Sequence, residues 1–168
     1  MRKCGPVQGR GWQKFERGID EPIPAEEPDL EIREAGPGDA SAFGRIIADA
    51  FDLGEAATPW IARLPSAPGW RAFVALVEGE PAGTGALFVR DGHAFTDFGA
   101  TAPPFRRRGV QRSLLAHRVR EALAADCVRI HTSTGEDVPG DPQHSYANIK
   151  RCGFRESYVR ENWTPGTG

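Results

Sequence analysis

A chain of 168 residues with a formal net charge of -2 and a pI near 6.1 can bury one core of its own, and it is too weakly charged to be a dedicated nucleic-acid binder. Its three cysteines, Cys4, Cys127 and Cys152, are an odd number without metal-ligand spacing, which suits a reducing cytoplasm and no disulfide framework. No apolar stretch follows Arg2 and Lys3, and the longest clean apolar run, residues 72–77, is too short to cross a bilayer, so neither a signal peptide nor a membrane partner is expected.

Residues 1–29 read as an extended segment apart from the domain. Gly5, Gly9, Gly11 and Gly18 work against a helix, and Pro22, Pro24 and Pro28 stand among acidic residues. Trp12 and Phe15 are the exception, apolar enough to dock on the domain or on a second copy. The domain proper is expected over residues 30–168. Residues 30–34 alternate apolar and charged, as a half-buried strand does. After Gly36-Pro37-Gly38, Asp39 is placed to cap a helix with Phe43, Ile46, Ile47, Ala50 and Phe51 on one face. A short second helix around Trp60, Ile61 and Leu64 opens at Thr58-Pro59, and the aromatic set Phe43, Phe51, Trp60 and Trp70 is expected in the core. Strands follow over residues 70–78, 81–90 and 93–101, joined by hairpin turns at Glu78-Gly79-Glu80 and Asp91-Gly92. A helix over about residues 107–126, a strand over 127–132, a helix over 143–152 closed by Gly153, and a strand over 154–161 complete the order. The class is mixed α/β with an antiparallel hairpin set at its centre.

The stretch with the clearest chemistry is residues 100–122. Two prolines, Pro103 and Pro104, end the strand, an arginine cluster follows, and beyond Gly109 the apolar positions Leu115, Val119, Ala122 and Leu123 recur at helical spacing. Ser113, His117, Arg120 and Glu121 take the opposite face. The first amides of such a helix have no partner within it, and the helix dipole adds positive charge at the same end. Gly109 admits close approach to the backbone, and Arg106, Arg107, Arg108 and Arg112 surround it with charge. The arrangement is an anion site suited to a pyrophosphate, or else a helix start decorated with solvated arginines.

Residues 106–111, RRRGVQ, resemble the acetyl-CoA-binding motif Arg/Gln-x-x-Gly-x-Gly/Ala of the GNAT superfamily of N-acetyltransferases, with Arg106 and Gly109 matching and Gln111 replacing the final small residue. The strand ending at Ala100-Thr101, Pro103 and Leu114-Leu115 are similar to the same pattern. A second match lies at SYANIKRCGF, residues 145–154, with Gly153-Phe154 in place and Ser145 and Asn148 on the helix. The resemblance runs nearly end to end from Leu30. It implies a GNAT-like fold: a mixed, mostly antiparallel sheet with helices on both faces, whose fourth and fifth predicted strands, residues 93–101 and 127–132, splay apart. It implies acetyl-CoA as cosubstrate, with the pyrophosphate on the amides of Arg107, Arg108, Gly109, Val110, Gln111 and Arg112. The backbone of Ala100 and Thr101 would bond the pantetheine, and Asn148 would face its arm. Strand divergence is expected after Gly99, where a bulge is plausible.

Acetyl transfer to an amine requires a neutral amine, a donor for the oxyanion and a proton for the departing thiolate, and it needs no enzyme nucleophile. Asp97, on the strand leading to the pyrophosphate turn, and Glu136, in the loop beside the expected acetyl site, are the candidate bases, with His131 as a relay. Each has an ordinary alternative: a strand-edge carboxylate paired with an arginine, a solvated loop acid, a sheet histidine. Where the family carries its tyrosine this chain has Ile149, so Tyr146, three residues earlier, is expected to assist through a held water. Cys152 fits a small buried hydrophobe. The acceptor is a small-molecule amine or a peptide, entering near residues 52–58, and a homodimer through the last strand is possible. The rival of the same fold is a non-catalytic acyl-CoA-binding module. A nucleotide kinase lacks its Gly-Lys-Ser/Thr loop here, and RNA binding lacks aromatics interleaved with the arginines.

Overall fold

A computed structural model describes residues 5–27 and 30–165. Seven strands form one sheet in the order β2-β3-β4-β5-β6-β1-β7. They are β1 (Val7–Arg17), β2 (Glu31–Glu34), β3 (Trp70–Val77), β4 (Glu80–Arg90), β5 (His93–Thr101), β6 (Arg129–Gly135) and β7 (Arg155–Thr164). Every pairing is antiparallel except β5 with β6. The helices are α1 (Ala40–Ala50), α2 (Thr58–Ile61), α3 (Val110–Ala124) and α4 (His144–Arg151). None is long and apolar enough to cross a membrane.

The predicted hairpins form for the expected reason. Glu78 and Gly79 have φ of 52° and 81°, Asp91 and Gly92 of 50° and 75°, and paired left-handed residues match the twist of the strands they join. Two apolar layers sandwich the sheet. Phe73, Ala75, Val77, Leu87 and Ala94 meet Leu114, Leu115, Val119 and Ile149 of α3 and α4 on one side. Ala72, Val74, Leu76, Ala86 and Ala100 meet Phe43, Ile46, Ile47 and Ile61 of α1 and α2 on the other. Strand β3 therefore reads as a continuous apolar run, because both of its faces are covered.

Three local expectations are corrected. Asp39 precedes α1, but its carboxylate turns back to Arg33 and the Gly36 amide and caps no helix amide; the ion pair holds it below the usual carboxylate range. Phe51 is 42% and Trp60 73% exposed, outside the core. Helix α1 ends at Ala50, and the single turn of α2 seats Ile61 and turns Trp60 outward. Ala50 is exposed as well.

The largest correction is at the beginning of the chain. Val7–Arg17, expected in a segment apart from the domain, is a strand inside the sheet, paired with β6 on one side and β7 on the other. Phe15 is buried at 1% exposure and packs edge-on against Tyr146 at 5.1 Å. Arg17 is equally buried, its guanidinium donating to the carbonyls of Cys152 (2.6 Å), Glu21 (2.6 Å) and Gly18 (3.2 Å). Gln13 donates to Tyr158 O at 3.3 Å. The inward positions Gly11, Gln13, Phe15 and Arg17 do alternate, but only Phe15 is apolar, so the period was masked by polar residues that carry their own partners. Cys4 and residues 28 and 29 lie outside the described part.

Candidate active site

Strands β5 and β6 pair from His93↔Arg129 to Phe95↔His131 and no further. The last links are side chain to backbone: Thr132 Oγ1 donates to Thr96 O at 3.1 Å, and Thr96 Oγ1 to His131 O at 3.4 Å. Beyond them the strands part, because each is held elsewhere. Strand β6 follows β1 through Phe15↔Thr132 to Trp12↔Gly135, and its Thr134 hydroxyl lies 2.5 Å from that of Ser145 on α4. Strand β5 stays with β4, with a bulge between Asp97 and Ala100 in which Phe98 takes φ of 50°. Gly99, the expected place of a bulge, lies within it opposite Gly85, and Asp97 and Gly99 face opposite sides of the sheet.

Arg118 explains why the bulge holds. It is 3% exposed and donates to Leu114 O (3.0 Å), Ala86 O (3.3 Å) and Asp97 O (2.8 Å), while a Cβ on Gly99 would lie 3.2 Å from its Nη2. Burial outweighs the attraction of Asp97 and lowers its pKa to about 10, still charged at neutral pH. The residue hides from a sequence reading inside the apolar stripe of α3, between Leu115, Val119 and Ala122. Past the bulge, Ala102 N bonds Ala82 O, so in antiparallel alternation Ala100 also points its backbone groups at β4. Thr101 points its own away from β4, into the gap. The expectation for Ala100 is thus corrected. The Thr101 hydroxyl oxygen is buried without a hydrogen-bond partner among the described residues.

The turn after β5 gathers positive charge at the start of α3. Pro103–Phe105 forms one 3-10 turn, Arg107 and Gly109 take φ of 63° and 76°, and Ser113 N is the first amide of α3 to bond back, to Gly109 O. Val110 is buried against the core, so only its amide serves the turn. Arg106, Arg107 and Arg108 are exposed, with no acidic partner within 4 Å among the described residues. Arg112 differs: it pairs with the Glu27 carboxylate. Contrary to expectation, the polar face of α3 is covered. Ser113 is fully buried under residue 27, and His117 and Arg120 engage Glu26.

Helix α4 brings Asn148 to α3, its Nδ2 donating to Gln111 Oε1 at 2.8 Å, which gives the motif's departing residue a partner. Ile149 is 4% exposed and belongs to the core. Tyr146 leans on Phe15, and burial with Glu156 beside it pushes the phenol up to about 12. Cys152 is fully buried, its thiol pushed up to about 11.

Of the two candidate bases, Asp97 lies at the parting strands. Burial raises its pKa against the opposing pull of its hydrogen bond from Phe98 N (2.7 Å) and of the cations Arg118 and Lys14. Glu136 is instead tied to β1, accepting from Gly11 N at 3.2 Å, with its carbonyl taking Arg10 Nε at 2.7 Å. Nothing brings it to Asp97. His131 stacks on His93 with ring nitrogens 3.2 Å apart, and burial, then His93, lower its pKa. Lys14, Phe95, His131 and Tyr158 line a cleft on the face that α1 and α2 leave open. Lys14 could be found only once β1 was recognised as a strand.

Comparison with known proteins agrees with this geometry. The acetyltransferase (GNAT) family model matches residues 42–154. A GCN5-related N-acetyltransferase from Kribbella flavida superposes with a TM-score of 0.73 at 17% identity, covering 98% of this chain and 61% of its own. One from Sphaerobacter thermophilus gives 0.73 at 19%, covering 97% and 55%, and a GNAT-family acetyltransferase from Colwellia psychrerythraea 0.72 at 15%, covering 96% and 57%. The chain thus spans a little over half the length of these structures. No curated protein matches the sequence. With the splayed strands, the arginine turn and the family match over most of its length, the chain belongs to the acetyltransferase (GNAT) family.

Proposed function

We propose that this protein transfers an acetyl group from acetyl-CoA to a primary amine of a small molecule or peptide in the cytoplasm. The observation that carries the reading is the arginine turn at the N-terminus of α3, set where β5 leaves β6. The residues fit the cosubstrate on three counts. Exposed Arg106, Arg107 and Arg108 have charge to spare, the outward backbone edge and orphaned hydroxyl of Thr101 want polar partners, and the space over Gly109 already accommodates a carboxylate, a smaller stand-in for a phosphate.

Bound acetyl-CoA supplies an activated thioester. The protein's part is to position and to move protons. Arg106 to Arg108 and the first amides of α3 hold the diphosphate, Thr101 aligns the arm along β5, and Asn148, fixed by Gln111, closes it from α4. Asp97 receives the proton of the incoming ammonium; its raised pKa makes it a stronger base than an exposed carboxylate, and the same burial lowers the pKa of the amine. Tyr146 keeps its proton at any working pH and orients a water without giving that proton up. The core position of Ile149 favours a second reading, an acyl-CoA-binding module without turnover.

Incubating the protein with acetyl-CoA and a panel of amines, and following thiol release, separates the two. Amine-dependent release is expected; saturable acetyl-CoA binding with no release for any amine favours the binding module. A second copy fits along the outer edge of β7, which has no partner strand on that side among the described residues and exposes Tyr158 and Trp163, and the molar mass in solution tests this.

A further inference from the structure

Residues 23–27, which follow β1, lie lengthwise along α3 and are pinned to it turn by turn. Ile23 packs against the core. Arg120 donates to Pro24 O at 2.6 Å and pairs with Glu26, and His117 Nδ1 lies 3.3 Å from the same carboxylate. Two turns nearer the N-terminus of α3, Glu27 N donates to Ser113 Oγ at 2.9 Å and the Glu27 carboxylate pairs with Arg112. That carboxylate lies over the glycine of the arginine turn: a Cβ built on Gly109 would run into Glu27 Cγ and stand 2.7 Å from Oε1. Glu27 and Gly109, with Arg107 and Arg108, line the cleft at this end of the helix. A diphosphate and the Glu27 side chain need the same space and the same positive charge, so only one of them can be there.

We propose that Glu27 is a built-in competitor for the diphosphate of the cosubstrate, a strap residue that fills the anion cradle until the cosubstrate displaces it; this rests on the acetyl-CoA reading of the turn. The closed arrangement keeps Arg112 neutralised and the cradle shut to weak anions such as orthophosphate. Displacement is feasible because the pair is one-third exposed on both sides and Glu27 is anchored through its backbone amide, so the side chain can swing out while the strap stays down. The observed affinity is then the intrinsic one reduced by the fraction of molecules with the cradle open.

The test is calorimetric titration of inorganic pyrophosphate and of CoA into the wild type, Glu27→Gln and Glu26→Gln, with melting temperatures confirming folding. Glu27→Gln retains the shape and the Ser113 contact but loses the charge, and should bind both ligands about two- to fivefold more tightly, the range expected for releasing a partly exposed ion pair. Glu26→Gln makes the same change of net charge one residue away, on Arg120 and His117, and should stay within about twofold of wild type. Pyrophosphate affinity unchanged or weakened in Glu27→Gln, equal gains in both variants, or no pyrophosphate binding to any of the three overturns the competitor. If Glu27→Gln gains pyrophosphate affinity while CoA binds none of the three, the competitor stands and the acetyl-CoA reading falls. If CoA binds wild type and Glu27→Gln alike, the reverse holds.

Discussion

Asp97 and Tyr146 illustrate how environment sorts residues of similar chemistry. Burial raises Asp97, so the folded protein holds that proton to higher pH than the unfolded chain does. Ionised Asp97 therefore costs stability: the loss grows as pH rises from the ordinary aspartate pKa through the raised folded value, and is complete above it. Asp97→Asn keeps an acceptor for Phe98 N and removes the charge. At neutral pH its melting temperature should match or exceed that of wild type, while kcat falls on the order of 10²–10⁴, the usual contribution of a general base. In the wild type kcat/KM should fall towards acid with an apparent pKa above the ordinary aspartate value. Tyr146, pushed up to about 12, is far above the pKa of the thiol it would have to serve, about 8.5. Tyr146→Phe should lower kcat less than about tenfold; a hundredfold loss at unchanged acetyl-CoA affinity would make the phenol the acid after all.

At the scale of elements, β1 does more than add a strand. By pairing with β6 over Trp12↔Gly135 to Arg17↔Ile130 it draws β6 away from β5, and so helps to open the gap at the candidate site. Phe15 anchors it, and Phe15→Ala should cost about 3–5 kcal/mol in urea unfolding, the range for a fully buried aromatic. Trp60→Ala, removing a side chain 73% exposed, should change stability by less than about 0.5 kcal/mol. Equal effects would mean that β1 is not part of the folded sheet. Helix α3 shows the complementary effect: Ser113 and Arg118 are polar on paper and buried in the fold, because the strap covers one and the bulge of β5 employs the other.

For the molecule as a whole, the proposed cosubstrate site and the stability of the fold meet at one backbone position. Gly109 has φ of 76°, where a β-branched side chain is strained, and the space over it, now filled by Glu27, is the proposed place of the diphosphate. Gly109→Val should lower the melting temperature of the free protein and abolish most of the rise that acetyl-CoA produces in wild type, as seen by scanning fluorimetry. An undiminished rise would place the cosubstrate elsewhere.

What the amino-acid order determined by itself was whatever depends on neighbours in the chain: both hairpin turns, the left-handed cap at Gly153, the apolar stripes of α1 and α3, and the run of arginines before a helix. These are set by backbone sterics and by periods of two and 3.6 residues, which leave a local signature. Only the tertiary structure decided the rest. That Val7–Arg17 fills the slot between β6 and β7, that Asp97 and Gly99 face opposite ways, that Arg118 pins the bulge, and that Glu27 reaches Gly109 all depend on residues far apart in sequence. Arg17, Arg118 and Glu27 each find a carbonyl, hydroxyl or ion partner outside their own element, and a partner 80 or more residues away, as Arg112 and Ser113 are from Glu27, leaves no mark on the composition around it.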